Sequence, residues 1–282
     1  MSPLSSQDFQ LLADLLRTRS GFVLGPEKGY LLESRLTPVA RRRGLETLDQ
    51  LVRQLRLKPD ELLIHEITEA MTINESFFFR DNLPFETLSK FVLPKLRTSR
   101  AGAKRLRIWS AACSTGQEPY SIAMIFDQQR PLWSDWTIEI IATDLSSQAV
   151  AKAQAGLYSQ FEVQRGLPIK NLMTYFEKVG DQWQISPQIR SMVKFRTFNL
   201  LHPLTVLGTF DVVFCRNVLI YFDAPTKAKV LDSIRRQLTP DGCLFLGAAE
   251  TVLGLTKAFK PVKDQRGLYM PADADAPVAA LA

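Results

Sequence analysis

Apolar residues recur at helical spacing through the first quarter of the chain. Phe9, Leu12 and Leu16 share one face after a candidate cap at Ser5 or Ser6. Leu32, Leu36 and Val39 line a second stretch after Pro26. Pro38 lies inside it and predicts a kink, because its ring removes a helix hydrogen bond. Leu48, Leu51, Val52 and Leu55 make a third stripe, opened by Thr47 and Gln50 in capping-box register. Leu63, Ile67, Ala70 and Met71 make a fourth. No strand pattern precedes residue 100. Residues 1–70 are therefore predicted to form an all-helical domain. Residues 71–100 form a linker ending in a helix, with Asn82 as its cap and Pro84 in its first turn.

Near residue 105 the pattern changes. RLRIWSA (105–111), TIEIIATD (137–144), FDVVFC (210–215) and GCLFLGA (242–248) are apolar runs of strand length. The stretches 118–126, 146–154 and 224–238 between them read as helices. Such alternation predicts an α/β domain over 101–270, with a parallel sheet covered by helices on both faces. Residues 157–196 break the rhythm and read as an inserted small antiparallel β-subdomain. The Ala/Pro-rich tail, 271–282, reads as disordered.

Composition narrows the function classes. The 282 residues are 46% hydrophobic and 23% charged, enough for real cores in two domains. The net charge of +6 favours acidic partners. Three cysteines without a CxxC pair, and two distant histidines, exclude a disulfide framework and a His/Cys metal cluster. The N-terminus lacks a signal-peptide pattern, and no apolar run suits a membrane span, so a cytoplasmic protein without direct membrane insertion is expected.

Four segments carry candidate chemistry. In WSAACSTGQEPY (109–120) a strand enters a turn of small residues and opens a helix. Small side chains let a ligand approach the backbone, and Gly116 tolerates a positive φ. Thr115 and Glu118 stand in capping-box register. The turn lacks GxGxxG spacing, and Glu118 would repel a phosphate, so a neutral or cationic ligand fits better than a dinucleotide. Asp144 ends the next strand, where an acid can hold ribose hydroxyls or cap the following helix. TINESFFFRD (72–81) brackets three phenylalanines with Asn74, Ser76 and Arg80. The aromatics could equally staple one domain to another. FCRNVLIYF (214–222) leaves the carboxyl end of an apolar strand. Cys113 and Cys215 read as buried small hydrophobes rather than nucleophiles.

These segments together resemble the chemotaxis receptor methyltransferases, the CheR family, along nearly the whole chain. The family pattern implies a Rossmann-like S-adenosylmethionine-dependent methyltransferase domain, an inserted antiparallel β-subdomain and a preceding helical domain. It places cofactor contacts on Asn74, Ser76, Arg80, Glu118, Asp144, Asn199, Leu200, Arg216 and Asn217. Ser76 stands where Thr is frequent and keeps the hydroxyl. Gln117 stands where an acid is common. The resemblance puts Tyr221 beside the transferred methyl group, and makes Arg97, with Lys95 as rival, the cation that positions the substrate carboxylate. The implied activity is protein-glutamate O-methylation of the cytoplasmic methylation helices of chemoreceptors, by a monomer, yielding S-adenosylhomocysteine and a methyl ester. A glutamate is already ionised at neutral pH, so the reaction needs alignment and desolvation more than a general base.

The arginines at 41–43, with Arg35, Arg53 and Arg56, form a basic cluster. Arg41, Arg42 and Arg43 are therefore candidate substrate-docking residues, against the plainer reading of a solvated face. The turn at 177–181 has one glycine, fewer than expected of members that bind a receptor's tethering peptide. Nucleic acid is not an expected partner, since no basic and aromatic groove for single strands is evident. The alternatives are a nucleic-acid or small-molecule methyltransferase, and a non-catalytic cofactor-binding scaffold.

Overall fold

The structure, a computed structural model, describes residues 4–58 and 60–273. Of the tail predicted to be disordered, 274–282 lie outside the described residues, while Pro271 ends a strand. The chain divides into two compact units. One holds the chain up to Ile73 together with Tyr221–Thr226; the other begins at Asn74, runs to Ile220 and resumes at Lys227.

The first unit contains α1 (Ser6–Ser20), α2 (Gly29–Arg42), α3 (Leu48–Leu57) and α4 (Glu61–Ala70). The predicted stripes meet in one core: Leu12, Leu16, Leu32, Leu36, Leu51, Leu63 and Ile67 are all fully buried. Ser5 caps α1 by accepting from the Asp8 N–H. The Thr47/Gln50 capping box at α3 is complete. α2 continues through Pro38 to Arg42. Segment 221–226 belongs here because the Val23 N–H donates to the Tyr221 carbonyl at 2.9 Å and Arg17 pairs with Asp223 at 3.0 Å. Gly21, with φ 76°, leaves room for the Phe222 ring, which an added Cβ would meet at 2.9 Å.

The second unit opens with α5 (Leu83–Thr87) and α6 (Leu93–Ser99), joined by a π-helical turn at Leu88–Val92. The turn has a local cause. Pro94 cannot donate to the carbonyl four residues back, and the Leu93 N–H reaches Leu88, five back. Asn82 does precede α5, but its side chain makes no cap; it sits at φ 46° and its carbonyl accepts from Phe85 and Glu86 instead.

Then follow β1 (Arg105–Ala111), α7 (Gln117–Gln128), α8 (Arg130–Trp133), β2 (Thr137–Asp144), α9 (Ser147–Ala155), β3 (Leu157–Ser159), α10 (Gln160–Gln164), α11 (Ile169–Tyr175), β4 (Phe176–Val179), β5 (Gln182–Ile185), α12 (Pro187–Ser191), β6 (Val193–Thr197), β7 (Phe210–Cys215), α13 (Ala224–Arg236), β8 (Leu238–Leu246), β9 (Phe259–Pro261) and β10 (Leu268–Pro271). The main sheet runs β6-β2-β1-β7-β8-β10-β9, parallel from β6 to β8 and antiparallel at β10 and β9. This is the expected Rossmann-like α/β architecture. The small antiparallel sheet is β3-β5-β4. It stops short of the range read from sequence: β6 pairs in parallel with β2 and is an edge of the main sheet. A short strand with alternating exposure carries no local mark of which sheet it will join.

The chain fills β1, β2 and β6 on one side, then returns to place β7 and β8 on the other. Strand order therefore reverses between β1 and β7, which pair through Ala111 and Cys215 at their carboxyl ends. In open parallel sheets that crevice is where ligands bind.

Candidate active site

The turn leaving β1 is held open by strained backbone. Ala112 and Ser114 adopt φ 58° and 51°, and Gly116 adopts 95°. Left-handed non-glycine residues cost of order 1–2 kcal/mol each, so surrounding contacts must impose them. The Ser114 N–H donates to Asp144 Oδ2 at 2.7 Å, Ser114 Oγ donates to the Asn74 carbonyl at 2.8 Å, and the Tyr158 hydroxyl donates to the Thr115 carbonyl at 2.8 Å. Only glycine fits at 116, where a Cβ would lie 2.8 Å from that of Ala153.

The capping box expected from Thr115 and Glu118 does not form. Thr115 Oγ1 donates to Gln117 Oε1, and Glu118 turns inward. A buried cation draws it there. Arg216 Nη1 donates to Glu118 Oε2 at 3.0 Å, and Ser110 Oγ donates to Oε1 at 2.8 Å. The Arg216 side chain is 1% exposed, so its charge needs a buried partner. Burial pushes the Glu118 carboxyl above its usual range, opposed chiefly by the Arg216 charge and the Ser110 hydroxyl. Arg216 Nη2 also donates to the Arg80 carbonyl at 2.9 Å and to Asp81 at 2.7 Å. Its Nε is buried with no protein partner.

Asp144 closes β2. Its Oδ1 accepts from the Ser146 N–H at 2.9 Å and Oδ2 from the Ser114 N–H, so the carboxylate ties the β1 turn to the segment before α9, while Ser146 itself caps that helix by accepting from the Ala149 N–H. The Phe198 N–H donates to the Asp144 carbonyl, which brings the Asn199–Leu200 loop beside the same strand end. Asn199 Oδ1 accepts from the Leu201 N–H and Leu200 is buried.

Segment 74–81 is anchored along its length. Phe78 is fully buried against Tyr158 and Phe176, and Phe79 meets Phe85 edge-on. These two aromatics are core of the sheet unit. Phe77 instead lies under two guanidiniums, Arg165 at 4.4 Å and Arg80 at 5.4 Å. Arg80 donates to the Glu75 carbonyl and contributes a favourable charge at Glu118. Ser76 is half-buried between them in sequence.

Asn217 follows Arg216 with φ 59°. Its N–H donates to Glu250, a residue that sequence reasoning missed. Tyr221 is half-buried, its ring 5.7 Å from that of Phe22.

Two further sets of candidate residues lie apart from these strand ends. Arg97 is exposed near the end of α6, and its charge helps lower the Asp135 carboxyl, whose main partner is Lys104. Lys104 and Asp135 precede β1 and β2, so Arg97 stands at the amino ends of strands that span about 23 Å. It cannot reach groups at their carboxyl ends. Lys95, on the same helix, lies on the Phe91 ring at 3.8 Å. The basic cluster is also divided. Arg43 is clamped by Glu66 and Asp60 at 3.0 and 3.1 Å, and Arg35 by the carbonyls of Met71 and Thr72. Arg41 lines a groove of about 480 Å³ with Glu33 and Asp49, while Arg42 is exposed.

Cys113 and Cys215 are buried, and desolvation, reinforced by nearby carboxylates, pushes both thiols well up. Among the described residues no His, Cys, Asp and Glu group could hold a metal, and no helix is long and apolar enough to cross a membrane. His65 meets Glu69 on α4 at 3.3 Å.

A family model described as the CheR methyltransferase all-alpha domain matches residues 7–72, and one described as the CheR methyltransferase SAM binding domain matches residues 74–268. The chain is 41% identical over 269 residues to chemotaxis protein methyltransferase Cher2 of Pseudomonas putida, covering 94% of this chain and 98% of that protein. It is 42% identical over 268 residues to chemotaxis protein methyltransferase 1 of Pseudomonas aeruginosa, covering 94% and 97%. To the probable biofilm formation methyltransferase WspC of Pseudomonas aeruginosa it is 34% identical over 251 residues, covering 88% of this chain and 58% of that protein. The two domain models fall one on each compact unit, and the cofactor domain coincides with the strand ends where the strained turn, Glu118, Asp144 and Arg216 converge. The chain therefore belongs to the CheR family of S-adenosylmethionine-dependent chemotaxis methyltransferases.

Proposed function

We propose that this protein methylates glutamate side chains on the cytoplasmic methylation helices of chemoreceptors, acting as a monomer. The observation that carries the reading is the match over 94% of the chain to proteins named chemotaxis protein methyltransferases.

The residues at the strand ends suit the cofactor. The Asp144 carboxylate can only accept, and two backbone donors fix its plane, which suits ribose hydroxyls. Arg216 Nε is a buried donor with no protein partner, the group a cofactor carboxylate would satisfy. Glu118 supplies negative charge where an ammonium and a sulfonium need it. Asn74, Ser76, Asn199, Leu200 and Asn217 complete the proposed set. Bound S-adenosylmethionine supplies an electrophilic methyl group.

The chain's own task is then to orient a carboxylate and strip its water. With Arg97 and Lys95 held elsewhere, Arg80 becomes the cation proposed to position that carboxylate. It is tied by one hydrogen bond to the Glu75 carbonyl and acts electrostatically at Glu118. Tyr221 is proposed to orient the acceptor through its hydroxyl. The protonated, buried thiols of Cys113 and Cys215 serve packing.

The test is incubation with chemoreceptor-containing membranes and methyl-labelled S-adenosylmethionine. Label released as methanol in mild alkali identifies a carboxyl ester. Label that resists alkali would identify N-methylation and overturn the reading.

A further inference from the structure

Beyond Arg216 the chain leaves the sheet through residues 217–220, and the last two begin a 3-10 turn, Leu219–Tyr221. These residues enter no strand, so their N–H groups have no sheet partner. A single carboxylate takes most of them. Glu250 Oε2 accepts from the N–H of Asn217 at 2.8 Å and of Gly247 at 2.7 Å. Glu250 Oε1 accepts from Val218 at 2.9 Å and Ile220 at 3.3 Å. The carboxylate comes from a turn after β8 and is 9% exposed; the Glu250 N–H closes that turn on the Gly247 carbonyl at 2.9 Å. Hydrogen bonds from backbone N–H to an ionised acceptor are about twice as strong as neutral ones, and four on one group define a rigid bracket.

Two further features show that the neighbourhood is shaped around this bracket. Asn217 sits at φ 59°, the left-handed region that asparagine adopts more readily than most side-chain-bearing residues, and the Glu250 bond to its N–H fixes it there. Position 247 must be glycine for the approach: an added Cβ would lie 2.8 Å from Glu250 Oε2, 2.9 Å from Asn217 Nδ2 and 3.0 Å from the Asn217 nitrogen.

We propose that Glu250 is a positioning residue for methyl transfer, its carboxylate setting the backbone that carries Asn217 and leads directly into Tyr221. The proposal rests on the reading in which Asn217 contacts cofactor and Tyr221 orients the acceptor. Glu250 touches neither reactant. It acts by presenting a pre-formed loop, so that binding does not have to order it.

Glu250→Gln tests this with little change in size. The amide keeps one acceptor oxygen and turns an NH₂ donor towards two of the four N–H donors, which breaks half of the bracket. Gly247→Ala reaches the same bracket from its other side. Asp211→Asn is the yardstick for a structural carboxylate: Asp211 is buried at the amino end of β7, where it accepts from Arg100 and from the Arg107 N–H. On the full chain, adenosylhomocysteine affinity is measured by calorimetry, kcat and KM on receptor membranes, and Tm by tryptophan fluorescence. Glu250→Gln and Gly247→Ala are expected to weaken adenosylhomocysteine about tenfold and lower kcat at least as much, with receptor KM unchanged. Asp211→Asn should lower Tm with affinity and kcat at wild-type values. If the Glu250 and Gly247 variants lose Tm as Asp211→Asn does but keep wild-type affinity and kcat, Glu250 is structural only and the proposal falls. If the wild type binds adenosylhomocysteine but methylates no receptor, the substrate reading fails. The affinity measurement then decides the role of Glu250 by itself.

Discussion

Glu118 and Arg216 form a pair that can be taken apart. Arg216 has a 1% exposed side chain and Glu118 an 11% exposed one, while its second acidic partner, Asp81, is 41% exposed. Breaking a buried pair by removing one partner typically costs 3–5 kcal/mol, because the other charge stays desolvated. In Glu118→Gln, Asp81 still faces the guanidinium and the amide oxygen can still accept, so we expect about 2–3 kcal/mol. In Arg216→Met the carboxylate is left with Ser110, and the contacts to Asp81 and the Arg80 carbonyl are also lost, so about 3–4 kcal/mol is expected. The double variant removes both charges and should cost about as much as the worse single change, a coupling of about 2–3 kcal/mol. Urea unfolding followed by tryptophan fluorescence suits the measurement, since Trp109, Trp133, Trp136 and Trp183 all lie in the sheet unit and report its transition selectively. A pH arm adds a sign. Burial raises the Glu118 carboxyl. An acid raised in the folded state binds its proton more tightly there, so it favours folding at low pH and loses that effect as pH rises through the folded value. Arg216→Met removes the main opposing charge. It should therefore gain stability relative to wild type as pH falls from 7 towards 5. Single-variant losses that add within about 0.5 kcal/mol, with no relative gain at low pH, would refute the buried-pair argument.

Other consequences are as direct. Asp144→Ala should weaken adenosylhomocysteine at least tenfold by calorimetry, since it removes a charged acceptor together with the backbone contacts that fix the β1 turn. Tyr221→Phe keeps the ring on Phe22 and should lower kcat more than cofactor affinity; an equal loss in both would make the tyrosine structural. Glu139 is pulled from 4.5 down to about 2 by hydrogen bonds from Arg107 and Lys194. Its contribution is thus present above pH 4.5 and lost as pH falls towards 2. Between pH 5 and 2.5 the wild type should lose about 2 kcal/mol more than Glu139→Gln in urea unfolding, after allowance for the exposure of Lys194. Because Arg43 is clamped by Glu66 and Asp60, the docking test belongs on Arg41 and Arg42. Reversing both to glutamate should raise receptor KM at low salt, spare cofactor affinity and lose its effect as salt rises, and unchanged KM at low salt would mark a solvated face.

Local chemistry was legible in the sequence wherever neighbours along the chain do the work. Helix stripes, the Ser5 cap, the Thr47/Gln50 box and the strand–turn–helix at 109–120 depend on residues three or four apart, so pattern alone located them. The resemblance then carried Arg80, Glu118, Asp144, Arg216 and Asn217 to strand ends that the sheet does bring together. What the sequence left open are choices between partners distant in the chain. Glu118 was free on local grounds to close a capping box with Thr115, and it abandoned that for Arg216, which lies 98 residues away. The β6 segment could join either sheet, and pairing with β2 decided it. Arg97 had a suitable charge, but the direction of α6 put it at the wrong end of the strands. Glu250 had no motif around it; it matters because the turn after β8 comes to lie beside the turn after β7. Short-range hydrogen bonding and hydrophobic periodicity are written in sequence spacing. Desolvation acts on a charge only after the fold has surrounded it, so the tertiary structure alone chose which carboxylate answers which cation.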